Sequence, residues 1–375
     1  MEPRHVDALL IGGGVAAARC ARGLRRAGFS GSVVLVGDEG LPPYNRPPLS
    51  KELLRDALPD DLLLAEPLAW YERRGVELLL GSRVVSLDPV ARLAELDGGT
   101  RLRYGACLLA TGAEPRALDV PGGERARLLR TVADARAIRD AAEPGASAVV
   151  VGGGFIGVEA SAALAERKVA VTLLCASDQL WGGAFGAAVS AWATERLRTV
   201  GVHVRFGAAI TSLDGVAAEL VVAGVGVQPR VELAVSAGLE VDDGVVVDGS
   251  QQTSIPRLYA AGDVARTGNR PRVEHWHAAR DSGERAGLAI AGAPLPPTRA
   301  PWIFSEFAGA KLDAVGWAAP GAPEVDVLPG VIGYLVGDRV GQLAILDGAV
   351  DVAAARLLVD RHLLPRSVRG ALEAE

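Results

Sequence analysis

Val6-Asp7-Ala8-Leu9-Leu10-Ile11-Gly12-Gly13-Gly14-Val15-Ala16-Ala17 is the stretch that decides how this chain folds. Val6–Ile11 is an apolar run of the kind found in parallel strands covered on both faces. It stops at three glycines, after which a helix is expected over Val15–Ala27 and a second strand over Ser32–Gly37. The turn fits G-x-G-x-x-A. Gly12 permits the tight turn, Gly14 lets the backbone approach a pyrophosphate, and Ala17 allows close packing of helix on strand. The helix start then offers unpaired N–H groups and a partial positive charge to phosphate. The second strand ends in Asp38-Glu39, carboxylates able to accept hydrogen bonds from ribose hydroxyls.

The same grammar returns later. Ala148–Val151 reads as a strand, Gly152-Gly153-Gly154-Phe155-Ile156-Gly157 as a second complete fingerprint, Ile156–Arg167 as a helix and Ala170–Leu174 as a strand. One glycine-rich turn is weak evidence for a nucleotide site; two in full strand–turn–helix–strand context point to two bound dinucleotides. Between them Leu108–Thr111 reads as a strand ending at Gly112, and Arg257–Asp263 follows the second unit as another strand ending in Gly-Asp. The Pro-rich stretch Ala293–Pro301 reads as a linker into a C-terminal domain.

The composition agrees. At 375 residues the chain exceeds the length at which single cores stop growing. With 49% hydrophobic residues and 46 glycines it suits a well-buried α/β enzyme and excludes disorder. A net charge of −6 gives no global electrostatic support for nucleic acid or an anionic membrane. Cys20, Cys107 and Cys175 form no C-x-x-C pair, and no leader or membrane-spanning run is read, so a cytoplasmic, disulfide-free protein is expected. His275 and His277 flank Trp276 at a spacing that on a helix sends them to different faces, so no metal site is expected.

The most specific string is Tyr44-Asn45-Arg46-Pro47-Pro48-Leu49-Ser50-Lys51. The prolines rigidify the approach, Ser50 is placed to cap a following helix, and Lys51 is delivered at a fixed point. Alone, such a lysine would read as a solvated charge. With GGGVAA, LLATGAEPR, GGGFIGVEAS, LYAAGDVAR and RVEHW, however, the string resembles the ferredoxin reductase branch of the FAD/NAD(P)-dependent pyridine nucleotide reductases, nearly end to end. That resemblance implies an α/β fold with two Rossmann-like domains, an FAD domain (1–112 and 243–293) interrupted by a NAD(P) domain (113–242), and a small α+β C-terminal domain (294–375). It implies Gly12, Gly14, Ala16, Asp38 and Glu39 on the FAD pyrophosphate and adenosine, with Val84 and Arg130 as further contacts. Asp263 would meet the ribityl chain and Trp276 would pack against the flavin. Gly152, Gly154, Ile156, Gly157, Cys175 and Gly226 fall on the nicotinamide nucleotide, and Lys51 beside the isoalloxazine with Glu159 as its ion-pair partner.

The resemblance also implies the activity: electrons from NADH or NADPH through FAD to a small iron–sulfur ferredoxin, or a rubredoxin, of an oxygenase system. The chain departs from its relatives in the second unit. They end its second strand with an acid, where this chain has Cys175, and carry a basic residue where Trp181-Gly182-Gly183-Ala184 stands. Ile210–Leu220 is short where they carry a hairpin. A thiol neither accepts strong hydrogen bonds from both ribose hydroxyls nor pairs with a 2′-phosphate, so neither nucleotide is expected to be strongly preferred. Two further readings stay open on residues alone: a flavin oxidoreductase of small molecules with weak nicotinamide dependence, and a nucleotide-sensing flavoprotein.

Overall fold

The computed structural model of the chain describes residues 2–268 and 271–374. It packs as two compact units. One comprises the chain up to Asn45 with Pro59–Glu114 and Gln228–Thr298; the other comprises Arg46–Leu58, Pro115–Val227 and the chain from Arg299 onward.

The first unit is built on a seven-stranded sheet. Arg4–Ile11 lies parallel between Val33–Gly37 and Arg101–Leu109, with Val76–Leu80 outside Val33–Gly37. Leu258–Ala260 pairs in parallel with the Cys107–Leu109 end of the long strand, while Leu93–Leu96 and then Val84–Asp88 continue antiparallel from its other end. The apolar run has a direct reason. Val6, Leu9 and Ile11 enter one core, Ala8 and Leu10 another, so both faces of the strand are covered.

The helix expected over Val15–Ala27 runs Val15–Arg26 and lies against the Trp276–Ile290 helix. Small residues set their separation. A Cβ on Gly283 would stand 2.2 Å from the Ala16 carbonyl oxygen, and one on Gly287 2.3 Å from that of Cys20.

The second unit holds two sheets. His203–Arg205, Ala170–Leu174, Ser147–Val151, Leu220–Ala223 and Arg127–Leu128 form a five-stranded parallel sheet in that order. Beyond it Trp302–Phe307, Ala310–Gly316, Arg339–Leu346, Val331–Val336 and Glu324–Leu328 form an antiparallel sheet, with the Val352–Asp360 and Pro365–Leu372 helices on it. The chain passes from Arg205 to Leu220 with no strand between; Leu213, fully buried beside Val151 and Val221, anchors this short connection.

The helix expected over Ile156–Arg167 runs Phe155–Glu166 and is buried from Gly157 to Ala165. It is mostly apolar because it is packed against Ala170–Leu174, Glu52–Arg55 and Trp302–Phe307. That packing also explains a difference from the sequence reading. Arg46–Leu58, which the sequence assigns with the first fingerprint, packs with the second, because its Glu52–Arg55 turn sits on the Phe155–Glu166 and Val132–Ala141 helices.

The close approach of the two helices in the first unit yields a test. Gly283→Val drives a side chain into the Ala16 backbone, which cannot yield as a flexible side chain would, and should cost at least about 1–3 kcal/mol. Gly40→Ala, where an added Cβ meets nothing within 4 Å, is the control. Guanidinium denaturation giving equal midpoints for the two would show that this helix contact does not depend on glycine.

Candidate functional site

The two fingerprint turns have the same geometry. At Gly12 the backbone turns with φ +129°, and a Cβ would stand 2.1 Å from the Ala110 carbonyl oxygen, so only glycine fits. Gly152 repeats this with φ +116° and the Gly224 oxygen 2.3 Å away. Gly157 presses the second helix onto the turn, its added Cβ falling 1.8 Å from the Gly152 oxygen. Gly14 and Gly154 are the helix N-caps, and neither helix has a side-chain cap. A Cβ at Gly14 would meet nothing within 4 Å, and one at Gly154 only the Gly224 oxygen at 3.9 Å. Each helix thus starts with backbone donors uncapped by side chains and with open space before them, which fits the pyrophosphate of a dinucleotide. Ala16 is buried in the first helix turn; Ile156 is partly exposed in the second.

Around the first turn, the Asp38 carboxylate accepts from Arg83 Nη2 at 3.2 Å and lies 3.4 Å from Arg230 Nη1. Glu39 accepts from the Tyr44 hydroxyl at 2.6 Å. Val84 is buried at the start of its strand. Asp263 stands in the 3-10 turn Gly262–Val264, whose first N–H donates to Ser282 Oγ at 3.0 Å. Trp276 opens its helix and donates from Nε1 to Asn45 Oδ1 at 2.7 Å, with Arg280 5.3 Å over its ring. Asn45 is in turn held by its amide on the Leu63 and Leu64 carbonyls. Asn45 stands between Tyr44 and Arg46 in the motif, and nothing else in the sequence marks it for this role.

Around the second turn, Cys175 follows its strand and is buried. Its thiol lies against Gly153, 3.3 Å from Ser177 Oγ and 3.4 Å from the Gln179 carbonyl oxygen. Trp181 donates its backbone N–H to Gly153 O at 2.9 Å and packs with Phe155, Phe185 and Phe307. Gly226, with φ +97°, accepts from Arg116 N at 2.9 Å. The Arg130 N–H donates to Asp134 at 3.1 Å beside the capping box of the Val132–Ala141 helix.

The sharpest feature lies on the buried face of the Phe155–Glu166 helix. Lys51 Nζ donates to Glu159 Oε2 at 2.8 Å, both side chains over nine-tenths buried. Pro47 O accepts from the same ammonium at 3.2 Å, and the Phe304 ring centroid lies 5.7 Å away. Ser50 does not cap the next helix: Lys51 occupies that position without a side-chain cap, and the Ser50 hydroxyl donates to Glu159 Oε2 instead. Ser305 Oγ donates to Glu159 Oε1 at 2.6 Å. Neither serine contact was visible in the sequence. A cleft of about 240 Å³ reaches the pair, lined by Arg55, Glu166, Glu306 and Lys311 among others.

Thiol chemistry has no footing. All three cysteines are free and buried, and burial pushes the Cys20 and Cys107 thiols far above their ordinary range. His275 precedes its helix rather than lying on it, so its ring stacks 6.3 Å from that of His277 instead of diverging; among the described residues no cluster of three His, Cys, Asp or Glu could hold a metal ion. Among the same residues no helix is long and apolar enough to cross a membrane.

Comparison with known proteins gives one consistent answer. Residues 6–283 match the pyridine nucleotide-disulphide oxidoreductase family model. The chain is 35% identical over 366 residues to the biphenyl dioxygenase system ferredoxin–NAD(+) reductase component of Paraburkholderia xenovorans (strain LB400), covering 92% of this chain and 88% of the relative. It is 37% identical over 329 residues to the p-cumate 2,3-dioxygenase system ferredoxin–NAD(+) reductase component of Pseudomonas putida, covering 84% and 82%. Among solved structures, a chain of the covalent putidaredoxin reductase–putidaredoxin complex superposes with a TM-score of 0.91 at 29% identity, covering 99% of each chain.

The buried pair predicts a coupling. Lys51→Met leaves an uncompensated buried carboxylate and should cost about 3–5 kcal/mol, whereas Lys51→Met with Glu159→Leu should recover most of that loss. Urea unfolding of the single and double variants in excess FAD measures this; strictly additive losses would show the two charges to be uncoupled.

Proposed function

The chain belongs to the pyridine nucleotide-disulphide oxidoreductase family, and from that membership we propose that it is the reductase that passes electrons from NADH or NADPH through FAD to a small ferredoxin or rubredoxin of an oxygenase system. The observation that carries this is the pair of open, side-chain-uncapped helix starts on glycine turns, one for each dinucleotide. Relatives matched along four-fifths or more of this chain bear ferredoxin or rubredoxin reductase names, which supports the acceptor class.

Bound FAD supplies the conversion of a two-electron donor into single-electron outputs. The chain supplies the holding groups. Gly12, Gly14 and Ala16 would cradle the FAD pyrophosphate with backbone N–H groups, Asp38 and Glu39 would meet the adenosine ribose, and Asp263 would take the ribityl hydroxyls. Trp276, fixed by Asn45, would pack on the ring system, and Val84 and Arg130 would complete the set. Gly152, Gly154, Ile156, Gly157 and Gly226 receive the nicotinamide nucleotide. Lys51 provides positive charge at the ring, and Glu159 holds Lys51 and the nicotinamide in place. By ligand the chain divides into 1–112 with 243–293 for FAD, 113–242 for the nicotinamide nucleotide, and a C-terminal domain of 294–375. We place the protein in the cytoplasm, in keeping with its three free cysteines.

Purified protein should be yellow, carry about one non-covalent FAD per chain, and reduce a ferredoxin at the expense of NADH or NADPH. A colourless protein that fails to take up added FAD would sink this reading. Nucleotide choice is a second test. No carboxylate stands at Cys175 to grip the ribose of NADH or to repel the 2′-phosphate of NADPH. Cys175→Glu should therefore gain about one to two decades in NADH affinity, the worth of a charge-assisted hydrogen bond of roughly 1.5–3 kcal/mol, while NADPH use falls. Titration with both nucleotides decides. Tight, selective NADH binding by the wild type, unchanged in the variant, would mean that the ribose is read elsewhere.

A further inference from the structure

Glu159 is held by more than its lysine. Oε2 receives the Lys51 ammonium at 2.8 Å and the Ser50 hydroxyl; Oε1 receives the Ser305 hydroxyl at 2.6 Å. Ser50 is 2% exposed and Ser305 fully buried. Three segments far apart in sequence thus close on one carboxylate: the turn before Lys51, the middle of the Phe155–Glu166 helix, and the first strand of the C-terminal sheet. That strand touches both members of the pair, since Phe304 presents its ring to Lys51 while Ser305 donates to Glu159.

We infer that Ser305, assisted by Ser50, is a positioning residue for flavin reduction: it fixes the Glu159 carboxylate, and through it the Lys51 ammonium. This rests on the reading above that Lys51 and Glu159 act at the flavin. The physical case is one of degrees of freedom. The last torsion of a glutamate is broad and roughly two-fold, so a carboxylate gripped at one oxygen still rotates. Lys51 and Ser50 both grip Oε2. Ser305 is the donor at Oε1, and with both oxygens engaged the carboxylate plane is set. An ammonium on a four-carbon stem has little orientation of its own, so Lys51 stands where Glu159, the Pro47 carbonyl and the Phe304 face hold it. A buried hydroxyl with no such task would be replaced by alanine at little cost, whereas a charge-assisted bond at this distance is a strong one. Sub-ångström placement of charged groups matters most when they act at a reacting centre.

The test uses the FAD-loaded protein and four variants: Ser50→Ala, Ser305→Ala, Ser305→Thr, which keeps the hydroxyl, and Ser50→Ala/Ser305→Ala. Stopped-flow reduction at saturating NADH should slow about tenfold in Ser305→Ala. It should slow further in the double variant and recover to within about twofold in Ser305→Thr. Two readouts do not depend on turnover. Calorimetric binding of NAD+ to the oxidised protein should change less than about threefold, so that the loss appears in rate rather than in affinity. The flavin midpoint potential should fall in Ser305→Ala and return in Ser305→Thr, because the ammonium is no longer held in place.

Wild-type rate and wild-type potential in Ser305→Ala would overturn the inference while leaving the proposed function intact. Equal slowing in Ser305→Ala and Ser305→Thr would also overturn it, since the hydroxyl would then not be the operative group. A wild-type protein that neither NADH nor NADPH reduces would instead defeat the reading on which the inference rests. Should Ser305→Ala fold poorly, Ser50→Ala and Ser305→Thr still decide: Ser50→Ala at the wild-type rate together with Ser305→Thr slowed tenfold rejects the hydroxyl account.

Discussion

Taking an ammonium and a carboxylate out of water costs several kcal/mol per ion, and the attraction between them repays this only when the remaining donors and acceptors are also met. Lys51 and Glu159 are both over nine-tenths buried, and the segments packed around them meet this demand. The Pro47-Pro48 turn places one carbonyl on the ammonium and one hydroxyl, that of Ser50, on the carboxylate. The C-terminal sheet supplies the other hydroxyl. The same demand explains why Arg46–Leu58 packs with the second fingerprint: Lys51 is bonded to the middle of that helix, and the turn after it rests on the same helix.

The two fingerprint turns are built alike and used in different surroundings. Both need glycine where the backbone meets a neighbouring carbonyl, and both leave the helix start uncapped by side chains, so what each turn offers an anion is backbone N–H groups. The first helix lies on another helix through Gly283 and Gly287; the second is buried from Gly157 to Ala165 and carries Glu159 on its second turn. The strands that follow end differently. The first ends in Asp38 and Glu39, already engaged with Arg83 and Tyr44, and the second in a buried thiol.

These differences mark what was legible in the sequence. A strand covered on both faces, a backbone angle that only glycine admits and a 3.6-residue helix period are local properties, so Arg4–Ile11, Val15–Arg26 and Ala170–Leu174 are legible to within a residue or two. Cys175 was legible as the residue ending its strand, but its seat between Gly153 and Ser177 was not, because a short side chain ending a strand looks the same buried or exposed. Ser50 and Ser305 were illegible for a related reason. A lone serine before a helix reads as a cap and one in a strand as filler, and nothing local shows a partner 109 or 146 residues away. Asn45 stood in view but had no meaning until Trp276, 231 residues on, was found on its amide oxygen.

What the sequence conveys well and what it conveys poorly follow from how the work is divided. In the proposed function, binding rests on backbone groups that require glycine, and glycine is conspicuous. Reactivity there rests on a few charged side chains whose surroundings are assembled from distant segments, and those surroundings are inconspicuous. This division limits how far such a site can change. The fingerprint turns depend on glycine at Gly12 and Gly152, where an added Cβ would meet a carbonyl oxygen. The Lys51–Glu159 pair depends on its surroundings. Its contacts come from two segments remote from its helix, the turn at Pro47–Ser50 and the strand Trp302–Phe307, and losing the Ser305 hydroxyl leaves Oε1 without its donor, where an unmet hydrogen bond costs more than a met one contributes.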